Sequence, residues 1–204
     1  MAADAGRPLR ADAQRNRDKI LAAAVRVFTE QGLEAHFERI AKEAGVGTGT
    51  LYRNFPSREA LIEAAYRNEV ARLCDSVPTL LETLPPYEAL RAWTRRFIDY
   101  ATAKMGMADA MRAVLAAGTN PYADSRQMIQ DALASLMEAC TAAGAIRSDI
   151  SSTDMFAALA GIALTSAGPE QRAQAERLLD LNLDGLRLPL VQRRAGGGVP
   201  DRPS

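Results

Sequence analysis

The chain has 204 residues, of which 48% are hydrophobic and 25% charged, a composition typical of globular proteins rather than disordered chains. Lysine plus arginine and aspartate plus glutamate both number 25, so the formal net charge is zero. The two cysteines lie far apart in sequence and do not indicate a disulfide framework or a zinc site. The chain has a single histidine, His36, which excludes a histidine-based metal cluster. We therefore expect neither a metal nor a cofactor.

The N-terminal segment is rich in basic side chains. Residues 7–19 contain five basic residues against two acidic ones, although the whole chain is neutral. Such a basic segment is suited to binding a polyanion. A solvated N-terminal arm would have the same composition, so both interpretations stay open. No apolar stretch follows these charges as it would in a signal peptide, so we expect a cytoplasmic protein. We predict that residues 1–11 form a flexible basic arm.

Apolar residues recur at steps of three and four along most of the chain, which is the spacing of amphipathic helices. Pro78 and the pair Pro85–Pro86 mark a boundary after the fourth helix, and no credible strand is found. The predicted fold class is therefore all-α, with about nine helices. Their approximate ranges are 12–31, 37–44, 48–54, 57–75, 87–104, 107–117, 122–143, 152–166 and 169–187.

The segment from Phe37 to Phe55 has the pattern of two short helices joined by a tight turn. Gly45 can adopt positive φ at low steric cost, so the chain can turn sharply there before Leu51 and Phe55 return as apolar residues. Each helix is too short to be stable alone, and the pattern indicates a helix-turn-helix, whose second helix enters the DNA major groove. An ordinary helical hairpin with a solvated face has the same spacing, and that alternative stays open.

The second short helix has a polar face if Leu51 and Phe55 point inward. Hydroxyl groups and an arginine beside a bare glycine backbone suit contacts with phosphates and base edges. The candidate residues on this face are Thr48, Gly49, Tyr52 and Arg53, with Thr50 and Asn54 beside them. Ser57 is a plausible N-cap for the helix that follows.

Residues 15–64 resemble the DNA-binding domain of the TetR family of bacterial transcriptional regulators. The matching residues include Phe28, Gly32, residues 44–46, residues 49–52 and the run Phe-Pro-Ser-Arg-Glu-Ala-Leu at residues 55–61. Residues 9–21 and residues 87–111 further resemble an actinobacterial-type branch. The resemblance implies a helix-turn-helix domain over residues 12–60 and a helical ligand-binding and dimerisation domain over residues 61–190.

The resemblance also implies roles for single residues. Thr48, Gly49 and Tyr52 fall where the family contacts bases and groove walls, and a second set falls where it contacts phosphates: Thr50, Asn54 and Arg58. Glu38 departs from the family pattern, because relatives often extend a basic or polar side chain towards DNA from this position. Two cap positions depart as well. His36 stands where a threonine usually caps the second helix, and Gly47 stands where a serine often caps the third.

Large, soft side chains are frequent in the second half of the chain, where the resemblance implies a small-molecule pocket. Methionine suits an adaptable pocket because it is flexible and polarizable. The same residues fit a plain helical core, so both interpretations stay open. The candidate pocket residues are Trp93, Phe97, Tyr100, Met111, Met128 and Met137.

The last two predicted helices are more apolar than one buried face requires. They resemble the family's dimer contact, and packing only within the protomer is the alternative. The candidate interface residues are Ala160, Leu164, Leu179, Leu183 and Leu186. The longest apolar run, residues 155–164, is about half of the ~20 residues that a membrane span needs, so no membrane partner is expected. We predict that the Gly- and Pro-containing residues 191–204 form a disordered tail.

The resemblance implies a ligand-responsive regulator that binds a pseudo-palindromic DNA operator as a homodimer. Repression is the family's usual mode, and activation stays open. A helical adaptor or a small-molecule-binding bundle without a DNA role is the alternative function. An enzyme is not expected, because the chain contains no Glu-x-x-His pair, no P-loop and no Gly-x-Gly-x-x-Gly run.

Overall fold

The computed structural model describes residues 6–116, 118, 120, 122, 124–165 and 171–187. These ranges contain ten α-helices and no strand, which confirms the predicted all-α class. The helices are α1 Gly6–Gln31, α2 Phe37–Ala44, α3 Thr48–Asn54, α4 Arg58–Cys74, α5 Ser76–Thr83, α6 Pro86–Gly106, α7 Ala108–Ala116, α8 Ser125–Ala142, α9 Ser152–Leu164 and α10 Arg172–Leu186, with a short 3-10 turn at Gly32–Glu34. The predicted tail, residues 191–204, lies outside the described residues.

The first helix begins earlier than the periodicity predicts. α1 starts at Gly6, so the prediction of a flexible arm was wrong for residues 6–11, while residues 1–5 lie outside the described part of the chain. Pro8 is the third residue of the helix, where its missing N–H is not needed. Leucine, arginine and alanine follow it and are good helix formers, so the helix extends through the basic segment.

One helix was missed. The sequence predicts a boundary at Pro78, whereas α5 spans Ser76–Thr83 and contains that proline as its third residue. The first four N–H groups of a helix have no intrahelical partner, so a proline in the first turn removes no hydrogen bond. Val77 and Leu80 are buried and hold the short helix in place.

The chain forms two compact units, and the division falls within α6 and α8. The first unit contains α1 to α4, residues 97–106, α7 and the start of α8. Within it, α1 packs against α2 and α4, and α4 packs against α7. The largest fully buried side chains there include Phe28, Ile40, Leu51 and Leu61, each of which contributes roughly 1.5–3 kcal/mol by leaving water. This packing stabilises α2 and α3, which are too short to be stable alone.

A close approach joins α6 to α1 in the first unit. Gly106 ends α6, and a Cβ atom placed on it would lie 3.1 Å from the Cα atom of Thr29. That Cβ would also overlap the Thr29 side chain, so a residue larger than glycine would require the neighbouring atoms to shift. The end of α6 therefore lies directly against α1.

The second unit contains α5, residues 86–96, the rest of α8, α9 and α10. α9 begins with a capping box in which the Ser151 side chain accepts from the Asp154 N–H and Asp154 accepts from the Ser151 N–H. The hydrogen bonds from Ser151 lower the pKa of Asp154. Arg91 of α6 donates to Asp180 of α10 at 3.0 Å, and α10 packs against α9. Within the described ranges, no helix is long and apolar enough to cross a membrane.

Candidate DNA-binding surface

The turn between α2 and α3 has the geometry that the sequence predicts. Gly45 has φ 68° and ψ 33°, which is the left-handed region. Its N–H donates to the Lys42 carbonyl at 3.2 Å, and the Val46 N–H donates to the Ala41 carbonyl at 3.0 Å. These two bonds form a Schellman motif, which satisfies the last carbonyls of α2 and sets the direction of α3.

α3 has one apolar side and one polar side. Leu51 and the following Phe55 are buried, whereas Tyr52 is 49% exposed. The structure therefore brings the predicted α3 residues onto one surface. Gly49 and Arg53 are exposed, and three others are half-buried: Thr48, Thr50 and Asn54.

Several of these side chains are already oriented. The Tyr52 ring lies 5.0 Å from the Phe37 ring of α2, measured between centroids. Arg53 Nη2 donates to Thr50 Oγ1 at 3.2 Å, and Asn54 Nδ2 donates to the Thr50 carbonyl at 2.8 Å. These weak local contacts restrict the rotamers of the polar face, so less entropy is lost when a partner binds it.

Arg58 is placed differently from the α3 residues. Its Nη2 donates to the Ala35 carbonyl, and its guanidinium carbon lies 5.6 Å from the centroid of the Phe28 ring. Its Nε is fully buried and has no acceptor in the described part of the chain. The phosphate contact that the resemblance implies stays a prediction, and no local signal in the sequence indicates this internal contact.

The helix starts differ in their capping. Ser57 accepts from the Ala60 N–H at 3.1 Å, which confirms it as the N-cap of α4. His36 and Gly47 precede α2 and α3, and neither makes a side-chain cap hydrogen bond. The departures at these two cap positions therefore leave α2 and α3 without side-chain caps.

A groove of about 370 Å³ adjoins the exposed face of α3. Its lining includes His36 and Glu38 at the start of α2, Tyr52 of α3, and Ser57 and Arg58 at the start of α4. The sequence does not indicate this groove, because its lining comes from three helix ends separated along the chain. It places polar side chains beside the candidate DNA-binding face.

Part of the basic N-terminal segment lies against the helix-turn-helix. The Arg17 guanidinium carbon is 4.6 Å from the centroid of the Phe55 ring, at the end of α3. Arg15 pairs instead with Asp12. Exposed ion pairs also join α1 to α2, between Arg26 and Glu43 and between Arg39 and Glu30, and each such pair contributes about 0–1 kcal/mol.

Two parts of the chain match known families. Residues 20–65 match the family described as "Bacterial regulatory proteins, tetR family". Residues 85–188, half of the chain, match the family described as "Transcriptional regulator SbtR-like, C-terminal domain". The chain belongs to the TetR family of transcriptional regulators. The helix-turn-helix interpretation is therefore correct, and the family is not one of enzymes.

Solved structures include TetR-family proteins similar to this one. A TetR transcriptional regulator from Streptomyces coelicolor, SCO0520, is 82% identical, with a TM-score of 0.83 over 84% of this chain and 98% of that chain. A TetR transcription regulatory protein from Mycobacterium vanbaalenii is 33% identical, with a TM-score of 0.73 over 89% of this chain and 100% of that chain. An HTH-type transcriptional regulator from Staphylococcus aureus is 46% identical over 54 residues, which span 26% of this chain and 29% of the relative.

The predicted pocket residues of this TetR-family protein are mostly buried. Met128 differs, since it is 42% exposed. Burial is expected both of pocket walls and of a plain core, so the pocket stays a prediction. The five buried residues are Trp93, Phe97, Tyr100, Met111 and Met137.

A buried chain of hydroxyl groups joins three helices in the first unit. The Tyr66 hydroxyl of α4 lies 3.1 Å from the Tyr100 hydroxyl of α6 and 2.8 Å from Ser125 Oγ of α8. Ser125 in turn donates to the Tyr122 carbonyl at 3.2 Å, and a carbonyl can only accept. Burial and the hydrogen bond with Tyr66 raise the pKa of Tyr100, so its hydroxyl stays protonated at neutral pH.

Three of the five predicted dimer residues lie inside the protomer. Leu179, Leu183 and Leu186 have exposures of 1–4%, so almost no surface is left on them for a partner, and their prediction as interface contacts was wrong. Their apolar face is covered within the protomer, where α10 packs against α9. Leu164 is 74% exposed and Ala160 is half-buried.

Proposed function

We propose that this TetR-family regulator is a repressor that binds a pseudo-palindromic DNA operator as a homodimer and leaves it when a small-molecule effector binds. It acts in the cytoplasm, with residues 12–60 as the DNA-binding domain and residues 61–190 as the ligand-binding and dimerisation domain. The observation that carries the proposal is the exposed polar face of α3, held over buried Leu51 and Phe55 by the Schellman turn.

We assign the DNA contacts on α3 by exposure and chemistry. Thr48, Gly49 and Tyr52 approach base edges and groove walls. A second set approaches phosphates, namely Thr50, Arg53 and Asn54 of α3 together with Arg58 at the start of α4. No atom lies within 4 Å of where a Cβ of Gly49 would be, so the DNA can approach its backbone closely. Arg53 is exposed, and leaving its bond to Thr50 for a phosphate exchanges a neutral acceptor for a charged one.

The proposed dimer forms through the exposed side of α9 and α10. Leu164 and Leu181 are the most exposed large apolar side chains that the described residues contain, at 74% and 71%. Ala157 and Gly161 continue the exposed side of α9 with helical spacing. A twofold dimer would place its two α3 helices about 34–36 Å apart along the operator, one turn of DNA.

The proposed function also includes a response to a small-molecule effector. An apolar or amphipathic molecule would bind in the helical domain of residues 61–190, where methionine and aromatic side chains are frequent. Induction requires that the effector prefer a conformation that does not bind the operator. Typical coupling of 1–3 kcal/mol lowers operator affinity roughly 5–150-fold, and operator must weaken effector binding by the same factor.

A mobility-shift titration with the DNA flanking the protein's own coding region tests the proposed function. We expect a retarded complex that resists competition by a scrambled duplex of equal length. Binding should weaken steeply as salt rises, because phosphate contacts release counterions. Equal affinity for the flanking and the scrambled DNA would contradict operator recognition. No binding to either duplex at low salt would favour a helical adaptor.

A further inference from the structure

Glu38 is an exposed acidic side chain next to the candidate DNA-binding face. It is the second residue of α2 and lines the groove of about 370 Å³ together with Tyr52 of α3. The residue before it, Phe37, is buried, and the centroid of its ring lies 5.0 Å from that of the Tyr52 ring. α2 and α3 therefore meet at this groove, and Glu38 shares it with a side chain to which the proposed function assigns base contact.

Two other charged residues of α2 form ion pairs with α1. Glu43 accepts from Arg26 Nε at 2.5 Å. Arg39 donates to Glu30 Oε2, also at 2.5 Å. Glu38 has no basic side chain within ion-pair distance among the residues that the structure describes. Its negative charge is therefore not neutralised by a neighbour on the surface that faces DNA.

The chemistry of DNA restricts what an unpaired carboxylate at this place can bind. Carboxylate and phosphate oxygens both accept hydrogen bonds and repel each other, so the carboxylate finds donors only on base edges. In the major groove these donors are the amino groups of cytosine and adenine. The adenine amino group lies between two acceptors, its own N7 and the thymine O4, whereas the cytosine amino group has an acceptor on one side only. Cytosine is therefore the better partner for a carboxylate.

We infer that Glu38 determines operator specificity, because its carboxylate accepts a hydrogen bond from the N4 amino group of one cytosine in each half-site. The inference rests on the proposed DNA-binding function. It makes both short helices readers of the operator, α3 through the face that contains Tyr52 and α2 through Glu38. The cytosine lies next to the bases that α3 contacts, because Glu38 and Tyr52 line one groove.

A matched set of duplexes tests the contact. The wild-type protein, Glu38→Gln and Glu38→Ala each select a preferred duplex from a random-sequence library, and the cytosine under test is where the selected sequences differ. In the wild-type duplex it is replaced by thymine opposite adenine, which puts the acceptor O4 in place of the N4 donor. A second replacement, 5-methylcytosine, adds the thymine methyl group and keeps the donor. Glu34→Gln is the control variant, since Glu34 is an exposed acid outside the groove lining.

We expect thymine to weaken wild-type binding about tenfold, the scale of one mismatched base pair, and 5-methylcytosine to change it by less than about twofold. The cost of thymine should fall below about twofold in Glu38→Ala, which has no acceptor, and in Glu38→Gln, whose amide accepts from N4 or donates to O4. Glu34→Gln should retain the wild-type preference for cytosine.

Three outcomes would overturn the inference. Equal base preferences in the wild type and both Glu38 variants would leave Glu38 as a charge that only stabilises the first turn of α2. A changed preference at a position where the wild type selects another base would contradict the assignment to cytosine. An equal loss with 5-methylcytosine and with thymine would assign the effect to the methyl group. A wild-type protein that selects no duplex overturns the proposed function itself.

Discussion

Tyr52 is the residue on which the proposed recognition surface depends most. It is exposed on α3, and the contact of its ring with Phe37 orients it before DNA arrives. Replacing Tyr52 with alanine should cost about 1–3 kcal/mol of operator affinity and relax base preference. Fluorescence anisotropy with operator and scrambled duplexes measures both effects. Tyr52→Phe, which keeps the ring contact, is the control for the hydroxyl, and unchanged affinity in the alanine variant would contradict the assignment.

The missing caps of α2 and α3 predict stabilising substitutions. His36 and Gly47 have the extended backbone of an N-cap but make no side-chain cap bond. His36→Thr should raise the free energy of unfolding by about 1 kcal/mol, and Gly47→Ser by only a few tenths, because glycine is already a tolerated cap. Urea unfolding measures these changes as shifts of the midpoint, while the dependence of the unfolding free energy on urea concentration (the m-value) stays the same. Ser57→Ala should lower stability by about 1 kcal/mol, and a His36→Thr protein no more stable than wild type would refute the capping argument.

Single-residue contacts were predictable only where they are local. Gly45, Leu51 and Phe55 lie within ten residues of one another, so their spacing alone predicts the turn. The contact of Arg58 with Ala35 joins residues 23 apart, and that of Tyr66 with Ser125 joins residues 59 apart. No periodicity indicates such pairs, because they depend on how whole helices pack.

At the scale of helices, the contact of α6 with α1 predicts a destabilising glycine replacement. Alanine at position 106 would gain about 0.5–1 kcal/mol of intrinsic helix stability. Its Cβ would meet the backbone of Thr29, however, and overpacking of this kind costs typically 1–3 kcal/mol. The steric cost is the larger, so Gly106→Ala should lower the thermal midpoint. A scanning calorimetry midpoint equal to or above that of the wild type would contradict the close approach.

The helices themselves were largely predictable from the apolar spacing. The two largest differences involve proline, since the predicted arm contains Pro8 and the predicted boundary lies at Pro78, whereas both residues lie in the first turns of helices, α1 and α5. A proline marks a helix end only when it follows a periodic stretch, and it is tolerated where a helix begins. The apolar stretch alone does not show which case applies.

At the scale of the whole molecule, two leucines of α10 distinguish dimer contact from core. Leu181 is 71% exposed, whereas Leu183 is buried in the protomer. Leu181→Glu should yield folded monomers, because it places a charge on the proposed interface. Leu183→Arg should unfold the chain, since an unpaired buried charge costs several kcal/mol. Light scattering and circular dichroism measure the two effects, and a dimeric Leu181→Glu protein would contradict the proposed interface.

The error over the dimer residues has a physical cause. An apolar face on α10 must be covered, but the sequence does not show whether the cover is a helix of the same chain or of a second copy. Leu179 and Leu183 are covered within the protomer, and the residue between them in sequence, Leu181, points elsewhere. Hydrophobic burial is non-directional, so only the packed structure decides between the two.

The contact between Gly106 and Thr29 bears on how DNA-binding domains can be exchanged between relatives. A chimera that joins the first 60 residues of another regulator to the remainder of this chain keeps Gly106 but replaces its neighbour on α1. A larger residue at position 29 would then collide with the end of α6. Cuts that follow the compact unit instead, by transferring residues 97–129 together with α1 to α4, keep both sides of that contact. The transferable module is therefore assembled from two separate stretches of sequence.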